Sequence, residues 1–404
     1  MRIESTYELT VVFCDIGMYL WKQGKGTFSK DDGMHVTLAE RTREWTTQHE
    51  SLIWLILLII CLYLFISSLE LMTTSLKMFG KEFATSLIYT TANPVAGLFI
   101  GILATSIIQS SSSTTSIVVG MVASGALEIS TAIPIIMGAN IGTSVTNTLV
   151  SLPHINRSNE FNRAFSAAIV HDVFNIFAVL VLFPIQIATN FLTISATFMG
   201  EVFQHIGALT LLSPVKMLVY PLVDFLKEQL GSYPFIIFIL SLLLLLFSLK
   251  MIVDALRVIV VKKAELWFDR ILFKTAFHAF LIGLLLTAMV QSSSITTSLI
   301  VPMAAAGVLT LKQVFPYTLG SNVGTTVTAI IAALVTGNLA AITVAFSHLL
   351  FNISGMMIWW PLKCVPIFVA RSFSQYSMRN KIIPFGYIII MFFNVPLLGI
   401  YFFR

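Results

Sequence analysis

An eight-residue polar run, QSSSSTTS at 109–116, lies in one of the least charged parts of this chain. Between Phe83 and Asn156 the only charged side chain is Glu128. The run returns as QSSSITTS at 291–298, in an equally apolar setting. A polar group left unpaired in hydrocarbon costs several kcal/mol, so any fold must give both runs partners, a ligand or a wet cavity. The repetition extends well beyond them. Laid without gaps, 101–152 and 283–334 agree at 23 of 52 positions at a constant offset of 182. The matches include Gly125/Gly307, Pro134/Pro316, and GANIGTSVT (138–146) against GSNVGTTVT (320–328). After a shift of five residues, HDVFN (171–175) matches HLLFN (348–352). The chain is an internal duplication.

The surroundings are those of a membrane protein. Hydrophobic residues make up 57% of the chain and charged residues 11%, against about 25% charged in soluble domains. Apolar runs at 52–68, 164–189, 235–249, 339–362 and 382–403 approach or exceed the ~20 residues a spanning helix needs. The expected fold is therefore an all-α polytopic membrane protein. The net charge of +5 is the usual excess of cytoplasmic Lys and Arg, with no sign of nucleic-acid binding. Cys14, Cys61 and Cys364 are scattered with no metal spacing, and GKGT at 24–27 lacks the upstream glycine of a phosphate-binding loop.

Charge sets the expected orientation. Lys250, Arg257, Lys262, Lys263, Arg270 and Lys274 place 250–274 in the cytoplasm, whereas 190–234 holds only Lys216 and Lys227. The polar stretch 1–51 reads as a cytoplasmic tail, helical in parts. The first repeat (52–190) is then entered from outside, and the second (235–362) from inside, with 191–234 as an extracytoplasmic connection. Residues 363–404 read as a cytoplasmic loop and a terminal membrane helix, whose end the charge count puts outside. This is an inverted-topology repeat, a plan of many secondary transporters. Within each repeat, VASGALEIS (122–130) and MAAAGVLTL (303–311) read as turns. Each block is thus a re-entrant hairpin followed by a helix broken at GANIGTS or GSNVGTT. Asn140, Gly142, Thr143, Asn322 and Gly324 would supply irregular backbone there.

The donor inventory narrows the chemistry. Gln, Ser and Thr offer hydroxyls and amides that suit a hard cation such as sodium or, with helix N-termini, an oxyanion. Cys and His, needed for soft metals, are absent from the blocks. From Lys274 to Lys363 the only intervening charge is Lys312, so a bound anion needs co-bound cations. Asp172 is a functional candidate because an acid within a membrane domain is costly; the alternative is pairing with Arg163. His171 and His348 read as structural hydrogen-bonders rather than proton carriers. Three rival readings stay open: hydroxyls that merely pack helices, a membrane protease lacking any GxSxG context, and a hydroxyl-lined channel.

These segments resemble the type II sodium-dependent phosphate cotransporters. The resemblance rests on NPVAGLFIGILATSIIQSSSSTTSIVVGMV, IPIIMGANIGTSVTNTLVSL, RAFSAAIVHDVFN, QSSSITTS and GSNVGTTVTAIIAAL, and runs from about residue 52 to 400. It implies sodium-driven phosphate uptake across the plasma membrane, with sodium co-transported and no cofactor. It implies phosphate binding by Gln109, Ser110, Ser111 and Ser112 with Gln291, Ser292, Ser293 and Ser294. By motif, Gln291, Ser292, Ser321, Thr325 and Thr328 resemble one sodium site, and Thr148, Asp172 and Asn175 part of another. The acid at 172 is similar to that of members moving net charge, where electroneutral members carry Gly. The short, cysteine-free 190–234 resembles the bacterial branch and so implies a bacterial inner membrane. Arg157, in PHINRSNE, stands where an acid is common. The family's C-terminus is cytoplasmic, against the charge count. Phosphate is the expected substrate and another small oxyanion the alternative.

Overall fold

In a computed structural model of the chain, the described residues are 38–79, 93–205, 213–256 and 275–403. Most of the expected cytoplasmic tail and the densest part of the 250–274 basic cluster lie outside them. The chain divides into two units, residues 1–50 and 51–404. The first described helix, α1 (Leu38–Met78), continues past the expected boundary at residue 51.

Within the larger unit, each repeat begins with a pair of short helices. In the first, α2 (Pro94–Ile108) starts at Asn93, whose side chain accepts from Val95 N, with Pro94 in the first turn. It stops at Gln109 and is followed by α3 (Ser111–Ser124). Gly125, left-handed at φ 80, ends α3 and turns the chain into α4 (Ile129–Thr143) and α5 (Val145–Ser151). A single 3₁₀ turn, Leu152–His154, leads to α6 (Ser158–Thr189). Helices α7 (Phe191–His205), α8 (Ser213–Leu230) and α9 (Pro234–Leu256) follow. The second repeat has α10 (Ala276–Val290), α11 (Ser293–Ala305), α12 (Leu311–Thr336) and α13 (Leu339–Trp359). Last come α14 (Cys364–Ser377), α15 (Ile382–Ile389), a π-helical turn at Ile390–Asn394, and α16 (Val395–Phe403). Among the described residues, seven spans are long and apolar enough to cross a membrane. The paired helices α2/α3 and α10/α11 have 13 to 15 residues each. At 1.5 Å per residue that is about 20–23 Å, short of the ~30 Å hydrocarbon core, as re-entrant hairpins require.

The expected breaks at the glycine motifs are only partly present. In the first repeat the helix pauses at Ser144 without leaving right-handed geometry. In the second, α12 runs unbroken through GSNVGTT. The glycines serve packing instead. A Cβ on Gly138 would lie 1.9 Å from Leu98 O, and one on Gly101 1.9 Å from Ile135 O. The equivalent Gly320 and Gly283 would strike Phe280 O at 1.9 Å and Tyr317 O at 2.1 Å. Backbones of α2 and α4, and of α10 and α12, therefore touch directly, as small residues allow in membrane helix pairs. Gly138→Ala or Gly320→Ala is expected to lower stability by about 1–3 kcal/mol through overpacking, read as a lower thermal midpoint in detergent. Gly386→Ala, whose Cβ would meet nothing within 4 Å, should leave the midpoint unchanged or raise it.

Two stretches expected as connections are helices. Within 191–234, α7 packs on α13, with Gly200 against Leu339 and Thr343. The segment after Trp360, read as a loop, contains α14. Its buried Pro366, Ala370, Ser374 and Ser377 form a stripe against α6, where the Ser374 hydroxyl donates to Asn162 O at 2.9 Å. The outer faces of α1, α6, α9 and α16 expose Ile59, Leu180, Phe235 and Phe402. Many serines, threonines and asparagines are buried in the interior beside the apolar core. Apolar surface around a polar centre is what a lipid solvent selects.

Candidate functional site

The two polar runs form matching hairpin tips. Gln109 (φ 58, ψ 26) and Gln291 (φ 57, ψ 23) are both left-handed, and each is followed by an extended serine: Ser110 (φ −149, ψ 105) and Ser292 (φ −149, ψ 106). Each serine caps the next helix, its hydroxyl accepting from Ser113 N or Ile295 N. The first turns of α3 and α11 thus begin at the tips, with amide groups that have no acceptor within their own helix. Beneath each tip a threonine pair links the two arms, Thr105–Thr114 at 3.0 Å and Thr287–Thr296 at 2.7 Å.

The tips meet each other reciprocally. Ser112 Oγ donates to Gln291 O at 3.3 Å, and Ser294 Oγ donates to Gln109 O at 3.4 Å. Residue i touching j′ while i′ touches j is the mark of a twofold relation, so a local twofold axis passes between the tips. The Gln291 Oε1 accepts from Thr328 at 2.7 Å, and the Ser112 hydroxyl lies 3.4 Å from that of Thr328. Gln291 also donates to Ala288 O. Gln109 is exposed and Ser110 half-buried, while Ser111, Ser112 and Ser293 are buried.

Of the residues expected to form the first sodium site, Gln291 and Thr328 are in direct contact. Ser321 joins the threonine pair below, 2.7 Å from Thr287 and 3.1 Å from Thr296. Thr325 donates to Ser321 O, and Ser292 is occupied as the α11 cap. Ser321 has Ala139 as its repeat counterpart, so this hydroxyl cluster is larger in the second half.

A second cluster surrounds Asp172, which is fully buried. Its Oδ2 accepts from Thr148 at 3.2 Å and from Tyr387 at 3.0 Å, and Ser144 lies beside the same carboxyl. Among the described residues its Oδ1 has no hydrogen-bond partner. Arg163 does not neutralise it: the guanidinium donates to Ala305 O at 2.8 Å, at the end of α11. Arg157 pairs with Glu160 at 3.2 Å, next to its own helix start. Pairing with Arg163, open in the sequence, is therefore closed by geometry.

Asn175, expected beside Asp172, belongs instead to a network at the centre. It donates to Asn140 O at 2.7 Å and accepts from Asn322 Nδ2 at 2.7 Å. The His171 Nε2 lies 2.7 Å from Asn322 Oδ1, and Asn147 Nδ2 lies 2.9 Å from His171 Nδ1. Since the Asn322 oxygen can only accept, Nε2 carries the proton and Nδ1 accepts. Both nitrogens are spoken for, as a structural histidine requires. The mirror contact joins His348 Nε2 to Asn140 Oδ1 at 3.3 Å, and Asn352 donates to Asn322 O at 3.1 Å. His348 Nδ1 lacks a partner among the described residues because Ala329 stands where the first repeat has Asn147. The carbonyls of Asn140 and Asn322 are thus taken by amides rather than offered to a ligand. Thr143 returns its hydroxyl to Ala139 O, and Gly142 and Gly324 pack on Ile102 O and Leu284 O.

Sequence reasoning missed Tyr387, Ser144 and Asn147. The Asn147 Oδ1 accepts from Thr297 at 2.8 Å and Ser298 at 3.3 Å. None of the three recurs as the same residue in the other half, so the repeat, the signal that marked the tips, could not single them out.

The Na+/Pi-cotransporter family model matches residues 64–212 and 244–363. Among curated relatives, sodium-dependent phosphate transport protein 2B of Homo sapiens is 34% identical, covering 85% of this chain and 64% of the relative. Sodium-dependent phosphate transport protein 2A of Mus musculus is 32% identical, over 84% of this chain and 66% of the relative. The same protein of Oryctolagus cuniculus is 33% identical, over 86% and 67%. The chain therefore spans about two thirds of the length of these relatives. No solved structure matches it.

Proposed function

The chain belongs to the Na+/Pi-cotransporter family, and from that premise we propose that it is a secondary transporter coupling the uptake of inorganic phosphate to sodium entry. The observation that carries this reading is the reciprocal meeting of the two tips. Two helix N-termini converge there, and the tip residues include no Lys or Arg. Gln109, Ser110, Ser111, Ser112 and their equivalents Gln291, Ser292, Ser293, Ser294 hold the phosphate through hydroxyls, amides and the first-turn N–H groups. The anion's charge is then balanced by sodium ions at two places: around Gln291, Ser321, Thr325 and Thr328, and at Asp172 with Thr148 and Ser144. At an effective dielectric of about 20, a cation a few ångströms from the anion is worth several kcal/mol, which makes cation binding a condition for tight anion binding. Asp172 makes the cycle electrogenic. The site of action is the plasma membrane, the inner membrane in a bacterium.

Coupling of this kind is reciprocal. Phosphate affinity should rise with sodium, and sodium affinity with phosphate, by the same factor, measured by calorimetry on the detergent-purified protein. Phosphate binding of equal strength in sodium-free choline buffer would contradict the proposal.

A further inference from the structure

The terminal helices lie beyond residue 363, where the family match ends, yet they reach the buried acid. Tyr387, on α15, donates its hydroxyl to Asp172 Oδ2. Its ring is held on two sides, 5.1 Å from Phe373 of α14 and 5.9 Å, edge-on, from Phe392 of the π-helical turn. The far end of the same arm is fixed on the first hairpin. A Cβ at Gly399 would lie 2.2 Å from the Phe99 ring of α2, and Phe403 stacks on Phe99 at 6.5 Å. The arm therefore joins the hairpin that carries Gln109 to the carboxylate. A π-helical turn re-aims the residues around it by one position, and such turns recur at functional sites.

We propose that Tyr387 is a positioning residue for sodium: with Thr148 it pins one carboxylate oxygen of Asp172 and so presents the other, Oδ1, to the cation. Two hydroxyls converge on Oδ2, while Oδ1 is buried without a partner among the described residues. A carboxylate fixed by one oxygen loses little rotational freedom when the other takes a hard cation, and Ser144 and Thr148 stand ready as neutral oxygen ligands. Removing the tyrosine hydroxyl frees the carboxylate to rotate and to turn Oδ1 away. The inference rests on the reading of Asp172 as a sodium ligand.

The test is sodium-dependent phosphate uptake in proteoliposomes for the wild type, Tyr387→Phe, Asp172→Asn and the double variant. Phenylalanine keeps the ring contacts with Phe373 and Phe392. For Tyr387→Phe the sodium concentration giving half-maximal uptake should rise about tenfold. The maximal rate and the half-saturating phosphate concentration at saturating sodium should stay within about twofold. In the Asp172→Asn background the same change should have no further effect on sodium, since it acts through the carboxylate. An unchanged sodium requirement in Tyr387→Phe, with Asp172→Asn impaired, overturns the role of the tyrosine alone. A shift that persists in the double variant also overturns it. Asp172→Asn with normal sodium dependence overturns the Asp172 reading and this inference together. If Tyr387→Phe lowers the maximal rate without moving the sodium requirement, the hydroxyl is merely structural and the proposal fails.

Discussion

Gln109→Gly combined with Gln291→Gly is expected to abolish sodium-driven phosphate uptake while leaving the fold about as stable as before. Both glutamines hold a left-handed backbone, φ 58 and φ 57, at a cost of about 1 kcal/mol each that glycine would not incur. Helix ends with this geometry usually carry glycine. A residue kept where glycine fits better points to a functional side chain. Each lost hydrogen bond to a charged ligand is worth about 1.5–3 kcal/mol, so two together correspond to a loss of roughly 10²–10⁴-fold. The offsetting losses on the stability side are the Thr328–Gln291 hydrogen bond and the one from Gln291 to Ala288 O, about 1 kcal/mol each. A thermal midpoint in detergent, paired with uptake, checks both halves of the prediction. Normal uptake by a well-folded double variant would make the tips packing devices.

Asp172→Gly is expected to remove the response of uptake to membrane potential while preserving part of its sodium dependence. A cycle carrying three sodium ions with one phosphate dianion moves one net positive charge. Each charge is worth about 2.3 kcal/mol per 100 mV, roughly fifty-fold in concentrating power. With Arg163 held by Ala305 O and Arg157 paired to Glu160, no cation among the described residues pairs with the acid. Proteoliposomes clamped with valinomycin and potassium give the measurement. Wild-type uptake that ignores an inside-negative potential would mean electroneutral transport and return Asp172 to a structural role. The sodium-dependent remainder in Asp172→Gly should come from the cluster at Gln291, Ser321, Thr325 and Thr328.

The duplication made the tips, their turns at Gly125 and Gly307, and the paired helices legible, because polar residues seldom recur at a fixed offset in apolar sequence through packing alone. The same signal misdirected the reading of GANIGTS and GSNVGTT. Glycine in a helix permits either a bend or a close backbone approach, and only the neighbouring helix decides between them. Here Leu98 O and Phe280 O occupy the space a side chain would need. The family resemblance groups Asn175 with Asp172, but its amide faces Asn140 and Asn322. Tyr387 lies 215 residues from Asp172, in an apolar helix with nothing around it to single it out. Contacts of that separation depend on the tertiary packing of α14 and α15, for which the sequence carries no periodic trace.

The central claim is that phosphate enters these tips only in the company of sodium. Radiolabelled phosphate uptake into proteoliposomes, with and without an inward sodium gradient, tests it most directly. With the gradient, internal phosphate should rise well above the external concentration and then fall back as the gradient decays; with choline in place of sodium, uptake should be at background. Equal uptake in choline, or phosphate that only equilibrates and never accumulates, would contradict it.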